Sequence, residues 1–307
     1  MKRNDRKAID SHKKNLGMGR NTGYLYLLPW MIGFAVFKLY PILATAFYSF
    51  TNYNLFNTNL RFVGLKNYTT IFQSPKYMNS FGVTSRFALL TVPLKLVFAL
   101  FIASVLNYKL KGIKFFRTAY YVPSILGGSV AISVLWQFLW QDDGLINQVG
   151  QIFNIPKVNW LGDARYTLLV ICLLRVWQFG SAMVIFLAAL KGVPTELYEA
   201  ASIDGANRRQ QFFHITIPLI TPIIFYNLVT QICAAFQEFN GPYIITAGGP
   251  MGSTTLISLL IYQNAFKTYN MGMASALAWL LFIIVAVLTI IAFASQKRWV
   301  YYDEDQK

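Results

Sequence analysis

The sequence is poor in the residues that most enzyme chemistry needs. Only two histidines, His12 and His214, occur in 307 residues, so neither a histidine-based nucleophile triad nor a zinc site has its ligands. The two cysteines, Cys172 and Cys233, each lie in an apolar stretch with no partner at metal-ligand spacing, and read as small buried hydrophobes. No Gly-Lys dipeptide is present, hence no G-x-x-x-x-G-K-[ST] loop to cradle a nucleotide phosphate. Charge is scarce too, at 13% of residues, and acids are scarcer than bases, 12 against 27.

Apolar surface is what the chain has in excess. At 55% hydrophobic residues it carries more than one soluble core can hide, and the class implied is an all-α, polytopic membrane protein. A formal charge of +15 raises nucleic acid as a partner, but the basic residues fall in short intervals between apolar runs, with no basic face interleaved with stacking aromatics. Membrane orientation accounts for them instead, and lipid is the expected surrounding.

Six runs are long enough to cross about 30 Å of hydrocarbon at roughly 1.5 Å per residue. The spans are predicted over 23–50, 86–108, 118–140, 166–190, 217–239 and 274–295, with residues 86–295 forming the core domain. Residues 1–22 read as a polar tail, 51–85 as an external loop too polar to span, and 296–307 as a second tail. Ala44-Thr45-Ala46 resembles a cleavage site, yet its run is longer than a signal core and holds Pro29, Lys38 and Pro41. Cleavage is therefore rejected, and Lys38 is expected to snorkel to the outer interface. Gly241-Pro242 is expected to break the fifth span, and Thr254 to Thr268 to form a short helix at the outer interface or tucked between spans. Outside the spans, 17 Lys and Arg fall on the side of the N-terminus and 6 on the other, which puts both termini in the cytoplasm.

The interval 194–216 is polar and helix-compatible, with Pro194 at a helix start and Gly205 in its middle. It should form two short helices joined at the glycine. Its residues Glu199-Ala200-Ala201, Asp204-Gly205-Ala206 and Ile215-Thr216-Ile217-Pro218 make an E-A-A-x-x-x-G pattern closed by I-x-x-P. That pattern resembles the cytoplasmic coupling loop of ABC importer permeases. Phe62-Val63-Gly64-Leu65-Lys66-Asn67-Tyr68 after Tyr40-Pro41-Ile42, Tyr121-Val122-Pro123-Ser124, and the run Thr246-Ala247-Gly248-Gly249-Pro250 through Ser253-Thr254-Thr255 are similar to the narrower maltose-type carbohydrate permeases.

The resemblance implies a type I permease bundle in a bacterial or archaeal cell membrane. It implies a second, homologous permease, two ATPase subunits that bind ATP and magnesium, an extracytoplasmic solute-binding protein and a carbohydrate substrate. This chain would hold no cofactor or metal and hydrolyse nothing. By the same resemblance Glu199, Ala200, Ala201, Asp204, Gly205, Ala206 and Pro218 couple it to the ATPases, driving alternating access. Two other classes remain: a proton-coupled carrier, which would leave the E-A-A loop without a purpose, and an intramembrane enzyme, for which no paired acid or nucleophile with its base is visible.

Polar residues inside the spans are costly and worth naming. Asn227, Gln231 and Glu238 recur at near-helical spacing in the fifth span, and Arg175 and Gln178 lie in the fourth. They read either as the lining of a substrate path or as interhelical bonds, with Arg175 pairing Glu238. Lys95, beside Pro93, reads as structural, facing a wet cavity or a partner subunit. Trp136, Trp140, Trp177 and Tyr243 could stack on sugar rings, but interface belts and packing also use them.

Overall fold

A computed structural model describes residues 22–56, 59–108, 112–127 and 129–301. Most of the N-terminal tail with His12, Lys109 and Lys111 of the basic turn, and the end of the C-terminal tail lie outside the described residues.

The described residues are helical apart from loops and one isolated bridge, Thr51 to Phe62. Three helices are long and apolar enough to cross a membrane unbroken: α1 (Tyr26–Ser49), α3 (Pro75–Asn107) and α13 (Met271–Gln296). Between α1 and α3 lies the short α2 (Lys66–Gln73). The external interval is thus partly helical, and α3 begins well before the apolar run that predicts it, because Ser74-Pro75 supplies an extended residue followed by proline at a helix start.

The other expected spans are bent pairs. They are α4 (Ile113–Leu126) with α5 (Val130–Trp140) and the following α6 (Leu145–Ile152), at 101°; α7 (Ala164–Trp177) with α8 (Gly180–Gly192), at 43°; and the segment ending at Leu219 with α11 (Thr221–Phe236), at 65°. Counting each pair as one span gives up to six crossings. At the last break Pro222 has no N–H to offer the Pro218 carbonyl, and the Thr221 hydroxyl takes that carbonyl at 2.6 Å.

One expectation needs correcting. The fifth span ends at Phe236, not at Gly241-Pro242; Pro242 instead opens a π-helical turn, Pro242–Thr246, where a missing N–H is tolerated. The short helix expected within Thr254 to Thr268 is α12 (Ile257–Tyr262), and it is tucked between spans: its Ile257, Leu259 and Leu260 are fully buried between α3 and α13.

α3 is the central helix, packed on α7, α8, α11 and α12. One apolar cluster, with Phe87, Val92, Ile171, Leu174, Phe236 and Ile257, fills one end of the bundle. A second, with Ala99, Phe179, Met183, Phe186 and Ile220, fills the other end, beside the interval 194–216. Contact between α8 and α4 depends on Gly180: a Cβ there would lie 2.5 Å from the Tyr120 carbonyl oxygen and 2.9 Å from Ser124 Oγ. Gly180→Val should therefore destabilise the chain by about 1–3 kcal/mol through overpacking. Gly192→Ala, where nothing lies within 4 Å, should not. Thermal unfolding of both variants in detergent checks this; equal midpoints would show that the contact is slack.

Candidate functional site

The interval after α8 folds as two short helices. α9 (Thr195–Ile203) starts after Pro194, which is extended at φ −60°, ψ 132°, and α10 (Arg208–Gln211) starts after Asn207. Gly205 joins them in the left-handed region at φ +82°, with its amide bonded to Ser202 and the Ala206 amide to the Ala201 carbonyl at 2.9 Å. Asn207 and Gln210 cap each other reciprocally, Oδ1 accepting from one backbone amide and Oε1 from the other.

Side chains fasten the two helices to one another. Gln211 Nε2 donates to Ser202 Oγ at 2.9 Å and to the Ala206 carbonyl at 3.2 Å. The Tyr198 and Thr216 hydroxyls meet at 2.8 Å, which ties α9 to the base of the segment leading into α11. The outer face is left open: Glu199, Ala200 and Asp204 are exposed, and Ile203 is 87% exposed.

A second polar assembly lies inside the bundle, where three helix breaks meet. Arg175 Nε lies 3.0 Å from Glu238 Oε2, and Arg175 Nη1 donates to Gln178 Oε1 at 2.9 Å. Gln178 Nε2 donates to the Gly127 carbonyl at 3.1 Å, where α4 stops. Ser124 Oγ donates to the Gln178 carbonyl at 3.1 Å and accepts from the Ser181 amide at 3.0 Å, across the break between α7 and α8. Glu238 Oε1 accepts from the Gly241 amide at 3.1 Å, and the Glu238 carbonyl accepts from Ser258 Oγ. Each break frees backbone groups that hydrocarbon cannot satisfy, and these side chains take them up.

Residues 87–300 match the family described as the binding-protein-dependent transport system inner membrane component. The chain belongs to that family. It is 44% identical to the probable ABC transporter permease protein YesP of Bacillus subtilis, over 98% of this chain and 99% of that one. It is 32% identical to the multiple sugar-binding transport system permease protein MsmF of Streptococcus mutans, over 90% and 95% of the two chains. In fold it is similar to a chain of a bacterial alginate ABC transporter solved with an alginate-bound periplasmic protein, at a TM-score of 0.80 and 23% identity over 93% and 97% of the two chains.

The permease brings Arg175, Gln178 and Glu238 together and leaves Asn227 and Gln231 apart from them. Asn227 is 1% exposed and spends its amide on the Ile223 carbonyl of its own helix at 3.1 Å. Gln231 is half-buried, and Glu238 lies beyond the end of α11, so the three do not form one continuous helical stripe. Lys95 is 5% exposed, on α3 between the two apolar clusters. The tryptophans pack on one another, with Trp136 centroids 6.0 Å from Trp140 and 5.7 Å from Trp177, and Trp136 Nε1 donates to the Val170 carbonyl at 3.0 Å. Tyr243 stacks on Phe239 at 5.1 Å. Among the described residues no cluster of His, Cys, Asp or Glu could hold a metal ion.

Some of these roles left no mark in the sequence. Tyr198, Gln211 and Thr216 have no motif of their own, although N-x-x-Q at Asn207 to Gln210 is a readable capping box. Gly127 and Ser124 serve a break whose sequence signal is the Gly127-Gly128 pair.

Proposed function

We propose that this chain is one permease subunit of an ATP-driven ABC importer for a sugar or oligosaccharide, in a cell membrane with both termini cytoplasmic. It works beside a second, related permease, two ATPase subunits that bind ATP and magnesium, and an extracytoplasmic solute-binding protein. The observation that carries the reading is the pair of short helices α9 and α10, internally stapled yet presenting an apolar face, with Ile203 at 87% exposure and Ala200, that nothing among the described residues covers. Small side chains at Ala200, Ala201 and Ala206 permit close approach of a groove on an ATPase, and Glu199 and Asp204 flank the turn. Movement of that groove reaches the bundle through Tyr198–Thr216 and Pro218, which leads into α11. The bundle then rocks between inward-open and outward-open states. The sugar class is supported by the names of relatives such as the multiple sugar-binding permease.

Purified alone in detergent, the chain should show no nucleotide-dependent stabilisation, because it has no phosphate-cradling loop. ATP hydrolysis should appear on adding the ATPase subunits and rise with the loaded binding protein. Turnover by the chain alone, surviving removal of contaminating ATPases, would refute the assignment.

A further inference from the structure

One face of α3 runs from hydrocarbon into a polar cavity. Leu94, Val97, Phe101, Val105 and Tyr108 recur at three- and four-residue spacing, so they share a face of the helix, and all five are exposed. α3 is long and apolar enough to cross a membrane unbroken, so an open apolar face of this kind lies against lipid. Its apolar run stops at Tyr108, and Lys109, Lys111 and Lys114 follow in the sequence, as where a span leaves the membrane on its cytoplasmic side. Tyr108 also lines a cavity of about 230 Å³, together with Ser104 and Asn107 of α3, Tyr198 of α9 and Arg208 of α10. The Arg208 and Asn107 side chains make no hydrogen bond or ion pair among the described residues, and no carboxylate is among the described residues that line the cavity. One unpaired guanidinium therefore faces a polar hollow at the foot of an apolar stripe.

We propose that this cavity seats the phosphate of an anionic phospholipid of the inner leaflet, with Arg208 as its counter-charge, the Asn107 amide as a donor and the acyl chains laid along the exposed face of α3. Basic pockets between membrane helices on the cytoplasmic side suit such headgroups. The stripe decides between a lipid and a free phosphate, because a soluble anion has no use for Phe101 and Val105. A choline or ethanolamine headgroup fits less well, since it brings a cation to a lining that holds a cation and no carboxylate. Tyr198 and Thr216, whose hydroxyls meet at 2.8 Å, line the same cavity. The headgroup would thus brace the link between α9 and the segment leading into α11 from its membrane side, leaving the outer face of α9 free for a partner.

The inference rests on the reading above only for which leaflet is involved. Labelling of Asn207→Cys from outside the cell would overturn that orientation, whereas lipid binding is read on the purified chain and stands or falls by itself. The full-length chain in neutral detergent is titrated with phosphatidylglycerol, and bound lipid is counted by native mass spectrometry. Phosphatidylglycerol should bind about tenfold more tightly than phosphatidylcholine, one decade of affinity. Arg208→Gln should remove most of that difference. Arg209→Gln, which deletes the same charge from a residue outside the cavity lining, should leave it in place. Equal binding of the two lipids by the wild type overturns the proposal, with no dependence on any variant folding. Equal weakening in the two variants overturns it as well, by showing diffuse attraction to a basic loop. Inorganic phosphate competing as strongly as phosphatidylglycerol would make the occupant a soluble anion and overturn the lipid assignment. With the partner subunits assembled, the preference and its dependence on Arg208 should persist; their loss on adding the ATPase subunits would show that the cavity is a protein contact and overturn the proposal.

Discussion

Glu238→Gln is expected to be the most destabilising single change in the membrane bundle. Glu238 is 8% exposed, so its carboxylate neutralises Arg175 away from water. Glutamine keeps the shape and can still accept from the Gly241 amide, but it leaves the half-buried Arg175 guanidinium without its counter-charge. Neutral interhelical hydrogen bonds in membranes average only about 0.6 kcal/mol. Breaking a buried pair by removing one partner costs about 3–5 kcal/mol. The charge effect dominates, and Glu238→Gln should unfold at lower denaturant in detergent and accumulate poorly in the membrane. The double variant Arg175→Met with Glu238→Gln removes both members and should recover most of that loss while remaining defective in uptake. A Glu238→Gln chain as stable as the parent would show that water reaches the pair and screens it.

The same pair shows how far a sequence can be read. Ionisable side chains in apolar runs must find partners, so Arg175 and Glu238 could be set against each other before any coordinates. What could not be read was that Glu238 lies off its helix. Spacing alone continued α11 through Glu238, and the near-helical row of Asn227, Gln231 and Glu238 followed from that assumption. Apolar runs report length and hydropathy, and the long helices α1, α3 and α13 were visible for that reason. Breaks are set by tertiary contacts: Gln178 bends the path between α7 and α8 by serving Gly127 and Arg175, and no glycine or proline precedes that break. The break before α11 did have its signal, in Pro218 and Pro222. The two short helices of the interval 194–216 were legible because their determinants are local, a proline at the start and a positive-φ glycine, whereas the contacts of Tyr198, Gln211 and Thr216 that fasten them were not.

Gly205→Val is expected to abolish uptake while leaving the chain in the membrane at normal abundance. An added Cβ at Gly205 would meet nothing within 4 Å, so packing raises no objection to valine. The obstacle is the backbone, at φ +82°, where a β-branched residue is an outlier. Holding such a conformation costs on the order of 1–3 kcal/mol. The two short helices are joined through that one residue, whereas the bundle is held by α3 and its neighbours, so the strain is relieved locally by reorienting α9 against α10. The Gln211 contacts to Ser202 and Ala206, at 2.9 Å and 3.2 Å, span that junction and should be lost with it. Under the proposed function the surface carrying Glu199, Ala200 and Ile203 would then miss its groove. ATP hydrolysis by the assembled complex should stop responding to loaded binding protein, or the ATPase subunits should dissociate on purification. Gly205→Asn, which tolerates the left-handed region better, should retain more uptake than valine. Uptake by Gly205→Val equal to that of the parent, measured with all partners present, would remove α9 and α10 as the point of coupling.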